Sequence, residues 1–549
     1  MSPIVPGTPR TAFQARFPDG RIFEAPPGTP IRDVIDAALG AVDPPVVGAM
    51  VNGRLRELVY PLTEDASITP LDTSTSDGAR IYRRSLAFLL LVAVDEVFPG
   101  TEVYIEHSAT TAAGYFCEVR GRGSLSAADL DRIDRRMREI VAADEPIIRR
   151  TVPVPEAISL FRDRGETDTA RLLAHRAKGV LVLYEMRGRR DYFQGYLVPS
   201  AGCLRHFALR PLHPGFVLLF PHQHQPTVLV PPTPYPKLFR VFEEAGNWLD
   251  RLGIRDAGAL NDAIVAGRLR EVSLVAEALH ESGIARIASD LASSSGRVRV
   301  VLVAGPSASG KTTFAKRLAV QLLVHGLRPM PIGLDDYFVD RDRTPRDERG
   351  EFDYETIGAL DLDLFNRDLQ ALVRGAPTTL PRYNFLTGQR EVGPTVSLSA
   401  QHVIIVEGIH GLNPTLVPSI PAERVYRVYV SALTHLNLDR HNRVSTTDCR
   451  LIRRVVRDAV TRGYTATDTL RRWDSVVRGE KQHIFCFQEN ADAIFNSALV
   501  YELAVLRPYA EPLLLQVRPD TPEYPEANRL LSFLQWFRPA PPDLVADNS

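Results

Sequence analysis

Short stretches of alternating apolar and polar residues mark the beginning of the chain. Over 13–17 every second residue is apolar, which predicts a strand, and Pro18-Asp19-Gly20 predicts the turn into a second strand. Apolar residues recur at helical spacing over 31–39, and Asn52-Gly53 predicts a second hairpin. Hairpin, helix and hairpin in this order predict a small β-grasp domain over residues 9–73.

Helical spacing dominates the middle of the chain. The apolar stripe over 126–141 predicts a helix, and the apolar run 213–222 is typical of a strand, so residues 78–240 contain both helical and strand-like patterns. Helical spacing then resumes and is interrupted by glycines. This pattern predicts a connector of several short helices over residues 241–297.

Three apolar, strand-like runs follow, each separated from the next by a helical pattern. They end in a glycine or an acidic residue, at Gly305, Asp335 and Glu407. Alternating strands and helices are typical of a doubly wound parallel sheet, in which ligands bind at the carboxyl ends of the strands. We therefore predict an α/β domain over residues 298–549 with its site at these three positions.

The first of these runs leads into the sequence GPSASGKT, which has the spacing of a phosphate-binding loop. Glycines allow the backbone N–H groups to surround phosphate oxygens, Lys311 reaches the β- and γ-phosphates, and Thr312 offers a hydroxyl to Mg²⁺. The predicted cofactors are therefore ATP and Mg²⁺. The candidate ATP-binding residues are Gly305, Pro306, Ser307, Ala308, Ser309, Gly310, Lys311, Thr312 and Thr313.

The other two strand ends supply carboxylates. One carboxylate is needed to accept a proton from an attacking hydroxyl and one to hold Mg²⁺. We expect Asp335 to be the base, with Asp336 as the alternative, and Glu407 to share the metal with Thr312.

A basic helix is predicted further along the chain. Arg450, Arg453, Arg454 and Arg457 have the spacing of one helix face, where a polyphosphate would relieve the repulsion between like charges. The alternative is a solvated basic face that is partly neutralised by Asp448 and Asp458.

Composition and charge indicate the cellular compartment but do not indicate a binding partner. A formal net charge of −1 gives no global attraction to nucleic acid or membrane. Four scattered cysteines favour a reducing compartment over a disulfide scaffold or a zinc ribbon. The first ten residues lack the pattern of a signal peptide, and the longest apolar run, 86–94, is too short to span a bilayer, so we expect a cytoplasmic protein.

Motifs in the C-terminal half occur in the order seen in one family. The phosphate loop, LDDYFVDR, GEFDYE, LPRYNFLTGQR, VEGIH and DCRLIRRVVRDAVTRG resemble the uridine kinase / phosphoribulokinase family over about residues 298–510. The resemblance implies an ATP-dependent kinase that phosphorylates a hydroxyl of a nucleoside-like acceptor. It also implies a base, acceptor contacts and a lid that closes over the transferring phosphoryl group. These are Asp335 as the base, Tyr337, Tyr383, Phe385 and Arg457 at the acceptor, and Arg454, Arg457 and Arg462 in the lid.

Two departures from the family pattern leave the acceptor open. Gly388 stands where uridine-cytidine kinases carry a histidine that reads the base, and Arg462-Gly463-Tyr464 replaces the RGR ending of the lid. A site that lacks a hydrogen-bonding partner for the base loses discrimination, so a nucleoside or a pentose-like compound is expected.

The front half resembles threonyl-tRNA synthetases. FPDGR and the hairpins of the first domain resemble their TGS domain, and IYRRSLAFLLLVAVDEVFPG with DYFQGYLVPSAGCLRHFALRP resembles their editing domain. The second resemblance implies an α+β region over residues 78–240. The four editing positions read Arg84, Phe88, Phe193 and Leu197, none of which is a metal ligand, so editing chemistry is expected to be lost.

The whole architecture resembles bacterial uridine kinase-like proteins with a synthetase-like front half. An RNA- or ribosome-associated regulatory ATPase is the alternative, with the front half contacting RNA. A scaffolding role for the front half and a homo-oligomeric state also stay open.

Overall fold

A computed structural model describes residues 11–109, 113–232, 235–294, 296–347, 350, 352–385 and 387–549. The expectation of no signal peptide rests on residues 1–10, which lie outside this range. The chain forms two compact units. Unit 1 contains residues 1–233, 437–443 and 518–536, and unit 2 contains residues 234–436, 444–517 and 537–549.

Unit 1 begins with the predicted hairpin, helix and hairpin. Its elements are β1 (Phe13–Arg16), β2 (Ile22–Ala25), β3 (Thr29–Pro30), α1 (Ile31–Leu39), β4 (Val46–Val51), β5 (Arg54–Arg56), β6 (Pro61–Leu62) and β7 (Ala66–Asp72). Five of the strands form one sheet in the order β2-β1-β7-β4-β5, with β1 and β7 parallel. Asn52 and Gly53 have φ values of 50° and 73°, as the tight turn between β4 and β5 requires. The predicted order of these elements is confirmed.

The second part of unit 1 is the predicted α+β region. It comprises α2 (Ser76–Val97), β8 (Glu102–Ala109), β9 (Gly114–Arg120), α3 (Ala127–Ala142), β10 (Ile148–Pro153), α4 (Val154–Asp163), α5 (Thr167–Ala174), β11 (Val180–Met186), β12 (Arg189–Asp191), β13 (Ala208–Leu212) and β14 (Gly215–Leu219). Its strands form an antiparallel sheet in the order β13-β14-β9-β8 and a three-stranded sheet, β10-β11-β12. The apolar stripe of α3 is buried, and Ser126 caps this helix in a reciprocal pair with Asp129.

Unit 2 begins with three helices, α6 (Pro236–Leu252), α7 (Ala257–Val265) and α8 (Leu269–Ser293). Gly253 and Gly267 have positive φ values and lie at the ends of α6 and α7, as glycines that stop helices do. The prediction that all of these helices are short is wrong for α8, which has 25 residues. Gly283 lies inside α8 rather than ending it.

The rest of unit 2 is built on a parallel sheet. Its elements are β15 (Val300–Ala304), α9 (Lys311–Val324), β16 (Arg328–Gly333), α10 (Leu362–Val373), β17 (Thr378–Asn384), β18 (Gln389–Val396), β19 (His402–Glu407), β20 (Val425–Ser431), α11 (Thr446–Arg462), α12 (Ala466–His483), β21 (Ala493–Asn496) and α13 (Glu502–Leu514). The sheet has the order β16-β19-β15-β20-β21 with all neighbours parallel, and β17 pairs with β18 as a separate hairpin. A final helix, α14 (Tyr524–Leu534), belongs to unit 1.

Both faces of the parallel sheet are buried. Val300 and Leu302 pack in a core with α10, whereas Val301 and Val303 pack in a second core with α8 and α9. Successive residues of β15 therefore face opposite layers of helices, which is the arrangement of a doubly wound sheet. The predicted fold class is confirmed. Among the helices in the described ranges, none is long and apolar enough to cross a membrane.

Candidate active site

The phosphate loop, residues 305–312, connects the central strand β15 to α9. A Cβ at Gly305 would lie 1.9 Å from the carbonyl oxygen of Val430 in β20, so only glycine fits where the loop leaves the sheet. Ala308 has a φ of 56°, and Gly310, with a φ of 86°, caps the N-terminus of α9. The loop thus presents the start of α9, where N–H groups and the helix dipole favour a phosphate.

Lys311 and Thr312 occupy the first turn of α9. The Lys311 ammonium donates to the carbonyl oxygen of Pro306 at 3.0 Å, and the Thr312 hydroxyl donates to Oε1 of Glu407 at 2.6 Å. A hydroxyl and a carboxylate oxygen this close are the hard oxygen ligands that Mg²⁺ prefers, so the two side chains fit the metal. Thr313, the last residue assigned to the loop from the sequence, is exposed.

Asp335 lies directly after β16 and retains an exposed surface. Its pKa is raised because surrounding protein atoms reduce its hydration; the nearby Lys311 opposes this rise and Glu407 adds to it. The reverse holds for Lys311, whose pKa is lowered by burial although Glu407 and Asp335 oppose the shift. The charges of these three predicted groups therefore influence one another.

Asp336 has a different environment. Its Oδ1 accepts the backbone N–H of Tyr383 at 3.2 Å, which ties the end of β16 to the hairpin strand β17. A carboxylate that already holds the backbone is less free to receive a proton from an acceptor. This contact favours Asp335 over Asp336 as the base.

The arginines of α11 divide into two groups. Arg450 pairs with Glu480, and Arg453 pairs with Glu502 at 2.5 Å, so these two are structural. The predicted lid residues all contact one buried carboxylate, Asp458, which lies 3.2 Å from Arg454, 2.7 Å from Arg457 and 3.6 Å from Arg462. The expectation of a single unneutralised face formed by residues 450, 453, 454 and 457 is therefore wrong.

Asp458 nevertheless neutralises only part of the positive charge of these arginines. One carboxylate faces three guanidinium groups, and burial together with the neighbouring Arg462 lowers the pKa of Arg457 although Asp458 opposes the shift. Arg454 also donates to the hydroxyl of Ser307 in the phosphate loop at 2.8 Å. This group of arginines therefore combines a surplus of positive charge with a direct contact to the loop.

Ser307 is held by three side chains from α11 and α12. Glu480 accepts its N–H at 2.8 Å, Arg450 donates to its carbonyl oxygen at 3.0 Å, and Arg454 binds its hydroxyl. Glu480 also forms two hydrogen bonds with Arg450, at 2.5 and 2.7 Å. The sequence gives no signal for Glu480, because it lies in the last turn of α12 with no motif around it.

Glu355 is a second acidic residue that the sequence did not single out. Burial raises its pKa to about 7; the charge of Glu480 adds to the rise, while Arg454 and Lys311 oppose it. Glu355 is the last residue of the GEFDYE motif, of which Glu351 lies outside the described residues.

Four aromatic side chains contact one another and form what we call the aromatic wall: Phe338, Tyr354, Tyr383 and Phe385. Tyr383 and Phe385 have ring centroids 5.1 Å apart, and Tyr383 and Phe338 have centroids 5.6 Å apart. Tyr383 is 5% exposed, and its hydroxyl has no hydrogen-bond partner among the residues that the structure describes. Phe385 is 57% exposed.

Tyr337 does not join this wall. It is 1% exposed, its hydroxyl donates to Asp368 at 3.3 Å, and its ring packs against Phe365. The short helical turn after β16 directs Tyr337 into the core, so the prediction that it contacts the acceptor is wrong.

Gly388 lies in the turn between β17 and β18. It has a φ of 72°, and a Cβ there would lie 2.7 Å from Nε of Arg341. Arg341 also donates to the carbonyl oxygen of Phe385 at 2.8 Å. A guanidinium group therefore occupies the space that a side chain at residue 388 would need.

The former editing positions of unit 1 are filled. Phe88, Phe193 and Leu197 are buried, and the rings of the first two are 5.5 Å apart. Arg84 donates to the carbonyl oxygen of Gln194 at 2.5 Å and packs against Gly195, where a Cβ would collide with its guanidinium group. The side chains at these four positions pack within unit 1, and the loss of editing chemistry stays a prediction.

Comparisons with known proteins match the N-terminal and C-terminal halves of the chain to two different families. Residues 300–504 match the model of the Phosphoribulokinase / Uridine kinase family. The N-terminal region is similar to Threonine--tRNA ligase of Aquifex aeolicus (strain VF5), 29% identical over 187 residues, which cover 33% of this chain and 28% of that protein. The enzyme of Polaromonas naphthalenivorans (strain CJ2) is 32% identical over 164 residues, or 30% of this chain and 26% of that protein. The chain thus spans under a third of the length of these relatives.

A solved structure titled as a possible uridine kinase from Bacillus stearothermophilus covers 36% of this chain and 89% of its own. It has 21% sequence identity and a TM-score of 0.25, which is too low to support any conclusion. The family match and the ligase matches confirm the resemblances predicted for the two halves of the chain.

Proposed function

We propose that the protein is an ATP- and Mg²⁺-dependent phosphotransferase that acts on a hydroxyl group of a small molecule, with a nucleoside-like compound as the preferred acceptor. One observation carries the proposal. Lys311 at the start of α9, Asp335 just beyond the end of β16 and Glu407 at the end of β19 influence one another's charge beside the phosphate loop. Charged groups converging on such a loop are the set that phosphoryl transfer requires.

The residues take the following roles in the proposed reaction. Backbone N–H groups of the loop and Lys311 bind the triphosphate of ATP. The oxygen of the acceptor hydroxyl forms a bond to the γ-phosphorus of ATP, and ADP leaves. Asp335 accepts the proton that this hydroxyl loses. Arg454 and Arg462 neutralise the charge of the transferring group and help to exclude water.

Thr312 and Glu407 would hold Mg²⁺. The ion, when bound, neutralises charge on the phosphate oxygens. The proximity of their two oxygen atoms supports this assignment.

The aromatic wall supports an acceptor that carries a ring. Phe385 offers an exposed ring surface for stacking, and the buried Tyr383 hydroxyl, which has no partner among the described residues, would gain one from an acceptor group that reaches it. Arg341 stands beside Gly388, where uridine-cytidine kinases read the base with a histidine. This difference favours an acceptor other than strictly uridine, and pentose-like compounds belong in the same screen.

The experiment that tests the proposal compares two neighbouring carboxylates. Asp335→Asn should lower acceptor-dependent ADP release by at least a hundredfold while ATP binding stays within a factor of about two. Asp336→Asn makes the same change in charge one residue away and should retain most activity. Full activity of Asp335→Asn would refute the assignment of the base, and a large loss only in Asp336→Asn would transfer the role to that residue. Lys311→Ala should abolish activity with every acceptor.

The similarity of the N-terminal region to Threonine--tRNA ligases supports RNA as a second candidate partner. In that case the same ATPase would respond to RNA rather than to a small acceptor. A cytoplasmic location, expected from the cysteines, and the assembly state stay predictions.

A further inference from the structure

A seven-residue segment of the C-terminal half folds as part of unit 1. This segment, residues 437–443 with the sequence NLDRHNR, follows β20 and precedes α11, both of which belong to unit 2. We call it the anchor segment. Five of its residues carry a charged or titratable side chain or an amide that is at most 8% exposed: Asn437, Asp439, Arg440, His441 and Asn442. Loops with this composition normally lie in solvent, so its burial requires an explanation.

Arg440 provides the first contact. Its guanidinium group binds Oδ1 of Asp168 through Nε at 2.8 Å and Nη2 at 2.7 Å, and its backbone N–H donates to Oδ2 of the same carboxylate at 2.9 Å. Burial alone would raise the pKa of Asp168, but the bonds to Arg440 hold it below its ordinary value. The carbonyl oxygen of Arg440 accepts the N–H of Ile105 at 2.8 Å.

Tyr192 provides the second contact. Its hydroxyl donates to the Asp439 carboxylate, and its carbonyl oxygen accepts Nδ2 of Asn442 at 3.2 Å. Asp439 also accepts the backbone N–H groups of His441 and Asn442 at 2.9 and 2.8 Å, which fixes the turn of the segment. The Oδ1 atom of Asn442 accepts the N–H of Gln194 at 3.2 Å.

His441 provides the third contact. Its Nδ1 lies 3.2 Å from Asp191, which is also bound by Arg189 at 3.0 Å and by Arg164 at 3.5 Å. Asp191 and His441 are 1% and 6% exposed. Buried charges are stable only when they are paired, so the segment depends on these unit 1 residues for its conformation.

The chain enters α11 at Thr446, immediately after the anchor segment. We propose that Asp168, Tyr192 and Asp191 are positioning residues for the phosphotransferase, because they fix the chain that leads into the helix bearing Arg450 and Arg454. This inference rests on the proposed function for its consequence in catalysis. In this inference the synthetase-like half contributes to the reaction by positioning α11, and this contribution requires neither editing chemistry nor RNA binding.

The test uses the full chain with two variants and one control. Asp168→Asn removes the charge that pairs with Arg440, and Tyr192→Phe removes only the hydroxyl that binds Asp439. Asp163→Asn makes the same change in charge at an exposed residue of α4. Hydrogen exchange of the backbone amides of 446–462 is measured in each, together with the kcat of acceptor-dependent ADP release and the affinity for ATP.

We expect amide exchange in α11 to be at least tenfold faster in both variants than in the control. We also expect kcat to fall at least fivefold, with ATP affinity within a factor of about two. Exchange equal to that of the control in both variants would overturn the inference, and so would unchanged kcat despite faster exchange. If Asp168→Asn does not fold, Tyr192→Phe decides. If the wild type shows no acceptor-dependent ADP release, the proposed function fails, and amide exchange alone still decides whether the anchor segment positions α11.

Discussion

Replacing Glu480 by leucine removes the carboxylate that pairs with Arg450 and accepts the Ser307 N–H. Glu480 and Arg450 are 0% and 1% exposed, so water cannot replace the lost bonds. An unpaired buried guanidinium group costs about 3–5 kcal/mol. An unsatisfied N–H group costs about 1–3 kcal/mol. The sum of about 4–8 kcal/mol is comparable to the whole stability of a typical domain, about 5–15 kcal/mol.

Glu480→Gln separates the charge from the hydrogen bond. Its amide oxygen can still accept the Ser307 N–H, but Arg450 loses its counter-charge, so we expect only the cost of the unpaired guanidinium group, about 3–5 kcal/mol. We expect unit 2 of Glu480→Leu to be unfolded or to melt more than 10 °C below the wild type, and unit 2 of Glu480→Gln to melt between Glu480→Leu and the wild type.

Thermal unfolding, followed with and without ATP, measures both effects. Asp474→Asn, at an exposed position of the same helix, removes an equal charge and serves as the control. A Glu480→Leu protein that melts with the wild type and binds ATP equally well would refute the reasoning.

Three further substitutions test separate features. Gly305→Ala places a methyl group 1.9 Å from a carbonyl oxygen of β20 and should abolish ATP binding, measured by titration calorimetry; wild-type affinity would show that the loop does not need this close approach. Tyr383→Phe should change stability by less than about 0.5 kcal/mol but raise the KM for the acceptor about fivefold, as for one lost hydrogen bond, and an unchanged KM would remove this hydroxyl from the acceptor site. Burial alone would lower the pKa of His441, but the Asp191 carboxylate raises it above 6.5. The stabilisation from this pair is therefore complete below pH 6.5 and is lost as the pH rises through the raised pKa. We expect His441→Asn to remove this loss when the free energy of urea unfolding of unit 1 is measured between pH 6 and 9. The same dependence of that free energy on pH in both proteins would contradict the pairing.

Local sequence patterns predicted the parts of the site that depend on local structure. Gly305, Asp335 and Glu407 lie at or near strand ends whose position follows from apolar runs and from the rule that parallel strands meet at one edge, and Lys311 follows from the spacing of the phosphate loop. The hairpin, helix and hairpin of unit 1 were predictable for the same reason, because turn residues and periodicity determine them.

Other contacts between distant parts of the chain have no signal in the sequence. Glu480 binds Ser307 across more than 170 positions of sequence, and Arg440 binds Asp168 across 272, with no pattern in the sequence to pair them. Tyr337 was assigned to the acceptor from its place in a motif. Sequence spacing cannot show that the helical turn after β16 directs this side chain inward.

The arginine helix shows the same limit in another form. Spacing places Arg450 and Arg454 on one side of α11 and offers Asp458 as a partly neutralising acid, but it does not indicate Glu480. Glu480 comes from the next helix, and Asp458 neutralises part of the charge from within α11. The surplus of positive charge was predictable, and its distribution was not.

The most direct measurement of the central claim is the stoichiometry of phosphoryl transfer. The wild-type chain is incubated with ATP, Mg²⁺ and one nucleoside or pentose at a time, or with RNA, and ADP and the phosphorylated acceptor are quantified by mass spectrometry. The account predicts that at least one small hydroxyl compound gives ADP and its phosphate ester in equal amounts, and that Asp335→Asn loses both. ADP release that only RNA stimulates, with no phosphorylated small molecule, would contradict the account.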